Sequence, residues 1–192
     1  MSDHYLNDEH LDQIDFTSRS FEPGEYEYCT FTNCNFAEVD LTGTTFVDCE
    51  FRNCNLSNAN LSSCAFRTVR FTDCKLLGLR WDTCNKFGFD VSFAACQLNH
   101  SSFFQMIMKK TSITNCSLEG VDFAETDLSE AKITECNLLN ATFDATLLER
   151  ADLRGSVQLQ IDPDVNRIRG MRVSKSALAG FLGKYQIQVD ED

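Results

Sequence analysis

At 192 residues and 43% hydrophobic composition, with only two prolines, the chain has enough apolar material for one cored domain and does not read as a disordered linker. Its formal net charge of −12 argues against wrapping around nucleic acid or lying on an anionic membrane. No apolar run approaches the roughly 20 residues of a membrane span.

In chain order, residues 1–10, MSDHYLNDEH, are acidic, lack the apolar centre of a signal peptide, and read as a flexible lead-in. A cytoplasmic protein is expected, in which the ten cysteines stay reduced.

From Leu11 a period of five takes over. Leu11, Phe16, Phe21, Tyr26, Phe31, Phe36, Leu41, Phe46, Phe51, Leu56, Leu61, Phe66, Phe71, Leu76 and Trp81 succeed one another at that step, and every one is large and apolar. The residue two positions before each centre is usually small. Five residues rotate about 140° around an α-helix and so make no stripe. On a flat strand five is odd and would alternate faces. The chain must therefore turn a corner in every repeat, giving a coil with one pentapeptide per side. Cysteine pairs such as Cys34/Cys54, Cys54/Cys74 and Cys96/Cys116 recur at a separation of twenty, which sets four sides per turn.

The register breaks once. Trp81 to Phe93 is two residues longer than the period allows, and Lys86 falls where a core residue belongs. A buried, unpaired ammonium is too costly, so a small bulge is expected within residues 85–92, with Phe87 or Phe89 in the core slot and Lys86 outside. The bulge is either a tolerated insertion or a contact for a partner. With the two residues looped out, Cys34, Cys54, Cys74, Cys96, Cys116 and Cys136 form one inward ladder, and Cys29/Cys49 and Cys64/Cys84 form shorter ones. From Phe93 the period resumes through Leu98, Phe103, Met108, Ile113, Leu118, Phe123, Leu128, Ile133, Leu138, Phe143, Leu148 and Leu153.

The motif census points to no cofactor or metal and to no enzyme. There is no C-x-x-C pair, the histidines (His4, His10, His100) form no ligand set, and phosphate loops and nucleophile elbows are absent. Cysteines two positions before each centre are read as small buried hydrophobes.

Units such as Ala151-Asp-Leu-Arg-Gly and Asn58-Ala-Asn-Leu-Ser resemble the pentapeptide-repeat family over residues 11–157. The resemblance implies an all-β solenoid, a right-handed quadrilateral β-helix. The slots provide about seven coils, a rod on the order of 34 Å at the usual strand spacing.

The charge is zoned. Residues 1–51 carry net −11, residues 52–110 net +5 and residues 111–192 net −6. Within the last zone Glu119, Asp122, Glu125, Asp127, Glu130, Glu135, Asp144, Glu149 and Asp152 form the candidate acidic partner-binding face.

After Leu153 the period stops. Residues 158–192 are expected to close the coil, with Ser174 as an N-cap, a short helix from Lys175 to Leu182, Gly183 at its end, and a strand over Gln186–Val189. The tail, including Asp162-Pro-Asp-Val-Asn-Arg-Ile168, resembles that of the quinolone-resistance (Qnr-type) and microcin-immunity members of the family. That resemblance implies a homodimer paired through Leu178, Phe181, Leu182, Ile187 and Val189; a simple cap is the alternative. It also implies a DNA mimic that binds DNA gyrase or topoisomerase IV and protects it from quinolones or peptide poisons. A rigid scaffold for an unrelated protein partner is the competing reading.

Overall fold

A computed structural model describes residues 4–185 and 187. The chain winds as a right-handed, four-sided parallel β-solenoid. Four faces follow from the register, numbered here in chain order. Face 1 begins with a four-stranded parallel sheet, Tyr5–Asn7, Glu25–Glu27, Thr45–Val47 and Ala65–Arg67. Face 2 is a seven-stranded parallel sheet running from His10–Asp12 to Lys132–Thr134. Faces 3 and 4 are stacked by single bridges, such as Asn35↔Asn55 on face 3 and Ser102↔Asp122 on face 4.

Partners lie twenty residues apart up to Phe66 and twenty-two apart across the insertion, where Phe71 pairs with Phe93. The ladder outruns the sequence period at both ends. Tyr5–Asn7 is already a strand inside the segment read as flexible, and bridges at Leu147↔Arg167 and Asp152↔Arg172 continue past residue 157.

The centres fill the axis. All are buried except Leu11 and Phe16, which are half-buried in the first coil. Stacked rings run down the interior, with Phe31, Phe51, Phe71 and Phe93 on face 2 at 4.6–5.4 Å between centroids. On face 4 Trp81, Phe103, Phe123 and Phe143 stack at 5.4–5.6 Å. Offset ring pairs of this kind add about 1 kcal/mol each beyond burial.

The small residues two positions earlier also point inward, and the cysteine ladder forms as the spacing requires. The Cys54 thiol donates to the Phe31 carbonyl of the preceding coil at 3.4 Å, while the Cys96 amide donates to the Cys116 sulfur at 3.3 Å. Ser156 extends the ladder, accepting from the Cys136 amide and donating to the Ile133 carbonyl. On face 1 Thr126 and Thr146 play the same part. All ten thiols are free and buried, and burial pushes Cys49 and Cys64 up to about 12. These two thiols are hydrogen-bond donors at neutral pH, to the Tyr26 and Leu41 carbonyls.

The bulge sits where the register break places it. Asn85 still donates to Cys64, and Asp90 resumes the ladder by donating to Phe66, so the extra residues lie between them on face 1. Lys86 is exposed and donates from Nζ to the Gln105 carbonyl. Of the two candidates for the core slot, Phe89 leans on the core, 6.2 Å from Trp81, whereas Phe87 is 79% exposed.

The expected short helix is present in the tail and is 3₁₀ in form. Lys175–Phe181 and Gly183–Tyr185 are 3₁₀ helices. Ser174 caps nothing with its side chain, because its hydroxyl accepts the Gly155 amide instead. Gly180 packs so closely that a Cβ there would stand 1.7 Å from the Leu159 carbonyl oxygen. Lys184 bridges Asp162, at 2.6 Å, and Asp164. These contacts seat the described part of the tail on the last coil. The expected strand over Gln186–Val189 lies outside the described residues, except for Ile187.

Two outcomes test the packing. Ellman titration is expected to find no reactive thiol in the folded protein and all ten in guanidinium. Phe51→Ala, which opens a gap between stacked rings, should cost about 3–5 kcal/mol, whereas Phe87→Ala should stay within about 0.5 kcal/mol, both read from denaturant unfolding.

Candidate functional site

The surface is built from three outward positions per side. The one before each centre is often Asp or Asn for a local reason: its side chain accepts the amide two residues on, tightening the corner. Asp122 takes Ala124 N–H at 2.9 Å, Asp127 takes Ser129 N–H at 3.1 Å, and Asp152 takes Arg154 N–H at 3.2 Å. These three candidate acids therefore hold the backbone as well as presenting charge. The corner position, two after the centre, adopts the left-handed conformation at nearly every turn, including Glu125, Glu130 and Glu135 at φ 55°, 60° and 56°.

The nine acids do not share one face. Asp122 and Asp144 lie on face 4, with Glu125 at the edge between faces 4 and 1. Asp127 and Glu149 lie on face 1, and Glu130 sits at its far corner, where its amide donates to the Glu149 carbonyl. Six acids thus gather on two adjoining faces across two successive coils. Asp152 on face 2, Glu135 at its corner and Glu119 on face 3 are turned away from them.

Cations hold part of the set. Lys109 pairs with Asp127 at 3.2 Å, Arg150 with Glu130 at 2.8 Å, and Arg154 and Arg172 with Asp152 at 2.7 and 3.5 Å. The Arg154 hydrogen bonds hold the Asp152 carboxyl below its ordinary value. Glu125 accepts from the Gln105 amide at 2.7 Å. Glu119, Asp122, Glu125, Glu135, Asp144 and Glu149 have no ion pair among the described residues, so their charge stays available.

A second anionic surface went unassigned from sequence. Asp8, Glu25, Glu27 and Asp48 lie on the first three coils of face 1 or its corner, with Tyr5 and Tyr28 exposed among them. The net −11 of residues 1–51 was the signal; only the stacking shows that these four share a side.

In the tail Leu178 and Ile187 are exposed, Phe181 and Leu182 half-buried, and Val189 lies outside the described residues. Among the described residues no group of three or more His, Cys, Asp or Glu is arranged to hold a metal, and no helix is long and apolar enough to cross a membrane.

Two family models match the chain, a pentapeptide repeat region over residues 24–86 and eight copies of the pentapeptide repeat over 122–157, together more than half of it. The chain belongs to the pentapeptide-repeat family. No curated protein matches it. Among solved structures of pentapeptide-repeat proteins, this one is similar to a trypsin-treated variant of QnrB1, described as a plasmid-mediated fluoroquinolone resistance protein. The likeness spans 97% of this chain and 100% of that one, at 16% identity and a TM-score of 0.54. HetL, involved in heterocyst differentiation in the cyanobacterium Nostoc sp. strain PCC 7120, matches over 89% of each chain at 12% identity and a TM-score of 0.42. At these identities the likeness is one of fold.

The corner bonds separate two kinds of carboxylate in this pentapeptide-repeat protein. Asp122→Ala should cost about 1 kcal/mol of stability, and Asp144→Ala, which accepts no such amide, less than about 0.5 kcal/mol, as read from denaturant unfolding.

Proposed function

We propose that this protein acts by binding rather than catalysis, as a DNA-mimicking rod. Its partner is a type II topoisomerase, DNA gyrase or topoisomerase IV, which it protects from quinolones or peptide poisons. The observation that carries the reading is the grouping of Asp122, Glu125, Asp127, Glu130, Asp144 and Glu149 on faces 4 and 1 of a stiff rod. Carboxylates fixed by a backbone ladder present charge with little side-chain reorganisation. They meet lysines and arginines that otherwise hold phosphates. The fold likeness to QnrB1 and the Asp162–Ile168 run support the same partner class. Two rods joined end to end through Leu178, Phe181 and Leu182 double the length of the charged surface.

The scaffold reading keeps one specific support. Lys109, Arg150 and Arg154 neutralise three of the nine acids in place, so a partner that reads a mixed surface also fits.

A gyrase supercoiling assay with ciprofloxacin tests the main reading. Supercoiling should recover as the protein is added at low salt, and Asp144→Lys/Glu149→Lys should lose most of that recovery. Binding of purified gyrase subunits should fade as salt shortens the Debye length from about 10 Å at 0.1 M to about 3 Å at 1 M. No protection at any protein concentration removes this role. Absence of gyrase binding at both low and high salt leaves the scaffold.

A further inference from the structure

The bulge exposes a phenylalanine for no packing benefit, and the rest of face 1 gives that exposure a context. Six successive coils of this face divide into two blocks of three. The first block carries Asp8, Glu25, Glu27 and Asp48 with exposed Tyr5 and Tyr28, and no lysine or arginine. The second carries Arg67, then Lys86 and Phe87 on the bulge, then Ile107, Lys109 and Lys110. Phe87 is 79% and Ile107 61% exposed, and the Arg67 side chain lies beside Gly88 of the bulge. Asp90, closing the bulge, is the one acid of that block, and Lys109 also reaches Asp127 on the next coil.

The order of the blocks makes the face complementary to itself. Turned about a two-fold axis midway between the third and fourth coils, each coil of the acidic block of one copy meets a coil of the other block, which brings Lys86, Lys110 and Arg67 over its carboxylates. Val47 and Asp48 face Arg67, Glu27 and Tyr28 face Lys86 and Phe87, and Tyr5 and Asp8 face Ile107 and Lys110. No coil meets its own kind. Moving the axis by half a coil sets Arg67 against its own copy and loses the match. A two-fold contact uses the same patch on both partners, and this face is written for one.

We propose that face 1 is an interface for a second copy of this chain, with two rods lying side by side and antiparallel. Phe87 and Ile107 pack on Tyr28, Val47 and Tyr5 inside a frame of opposed charges. This contact is separate from the tail pairing, and it does not depend on the topoisomerase reading. Six coils at the strand spacing span roughly 24 Å. That length gives on the order of 400 Å² per copy, about half of a standard interface. Association should therefore be weak, concentration-dependent and strongest at low ionic strength, where the opposed charges are least screened.

Analytical ultracentrifugation of the full chain tests this, in a Leu178→Asp background so that tail pairing does not contribute. At about 20 mM salt a monomer–dimer equilibrium is expected, weakened at least about tenfold at about 500 mM salt. Asp8→Lys/Glu27→Lys, Lys86→Glu/Lys110→Glu and Phe87→Ser should each weaken it by a similar factor. Circular dichroism should show all three folded. Mixing the two charge-reversed variants is decisive, because it restores opposite charges across the contact and should yield a heterodimer that neither forms alone. A chain that stays monomeric at low salt overturns the proposal, as does a dimer indifferent to these substitutions or a mixture that fails to pair. None of these results bears on gyrase protection, which the supercoiling assay reads separately.

Discussion

The backbone ladder between coils is the interaction on which the rest of the molecule depends. Each side donates and accepts hydrogen bonds with the coil before and the coil after, as when Asn35 donates to Ile14 and Phe36 to Asn55. The ladder fixes the spacing of the coils and leaves only two of five side chains pointing inward. One is the large centre; the other is the small residue, often a cysteine, serine or threonine that donates to a carbonyl of the neighbouring coil. Among the described residues every Asp, Glu, Lys and Arg side chain is thereby kept out of the buried core, and Lys86 is expelled on a bulge. A rod made this way has a filled axis and a surface set by the turn count, so recognition has to happen on its sides or at its ends.

Charge on such a surface follows the geometry of winding. Residues spaced by five step around the rod, and only those spaced by a full turn stack along it. Glu125, Glu130 and Glu135 look like a run in the sequence and occupy three successive corners in space. Glu27 and Arg67 look unrelated and lie on one side, two coils apart. Some of the charge is also committed to the fold, since Asp122, Asp127 and Asp152 tie down their own corners. Removing negative charge from this rod and loosening it are, at those three positions, the same act.

This explains how much could be read in advance. The period of five, the four sides, the buried thiol ladder and the place of the insertion are all local regularities, and each appears in the structure. The choice between Phe87 and Phe89 was not legible, because both have the same chemistry and only the bulge geometry decides which ring reaches Trp81. The short helix expected from Lys175 was legible, but not its 3₁₀ form or the close seat of Gly180 on Leu159, which depends on the neighbouring coil. How the candidate acids divide among the faces was harder to read, because a one-dimensional charge count cannot tell a step around the rod from a step along it.

The two ends of the rod make the last point about charge. At the C-terminal end the tail is seated on the coil by Gly180, Ser174 and Lys184. At the other end Tyr5–Asn7 and His10–Asp12 each have, among the described residues, a strand on one side only, and Leu6, Leu11 and Phe16 are half-covered. An open β-edge with apolar residues behind it is a template for stacking another chain end-on. Asp8, Glu9, Asp12 and Asp15 are spread around this end, so two such ends brought together would set like charges against each other across one strand spacing. The acidity of the first coils thus opposes head-to-head growth of the rod, and the same carboxylates, seen from the side, remain free to meet positive charge.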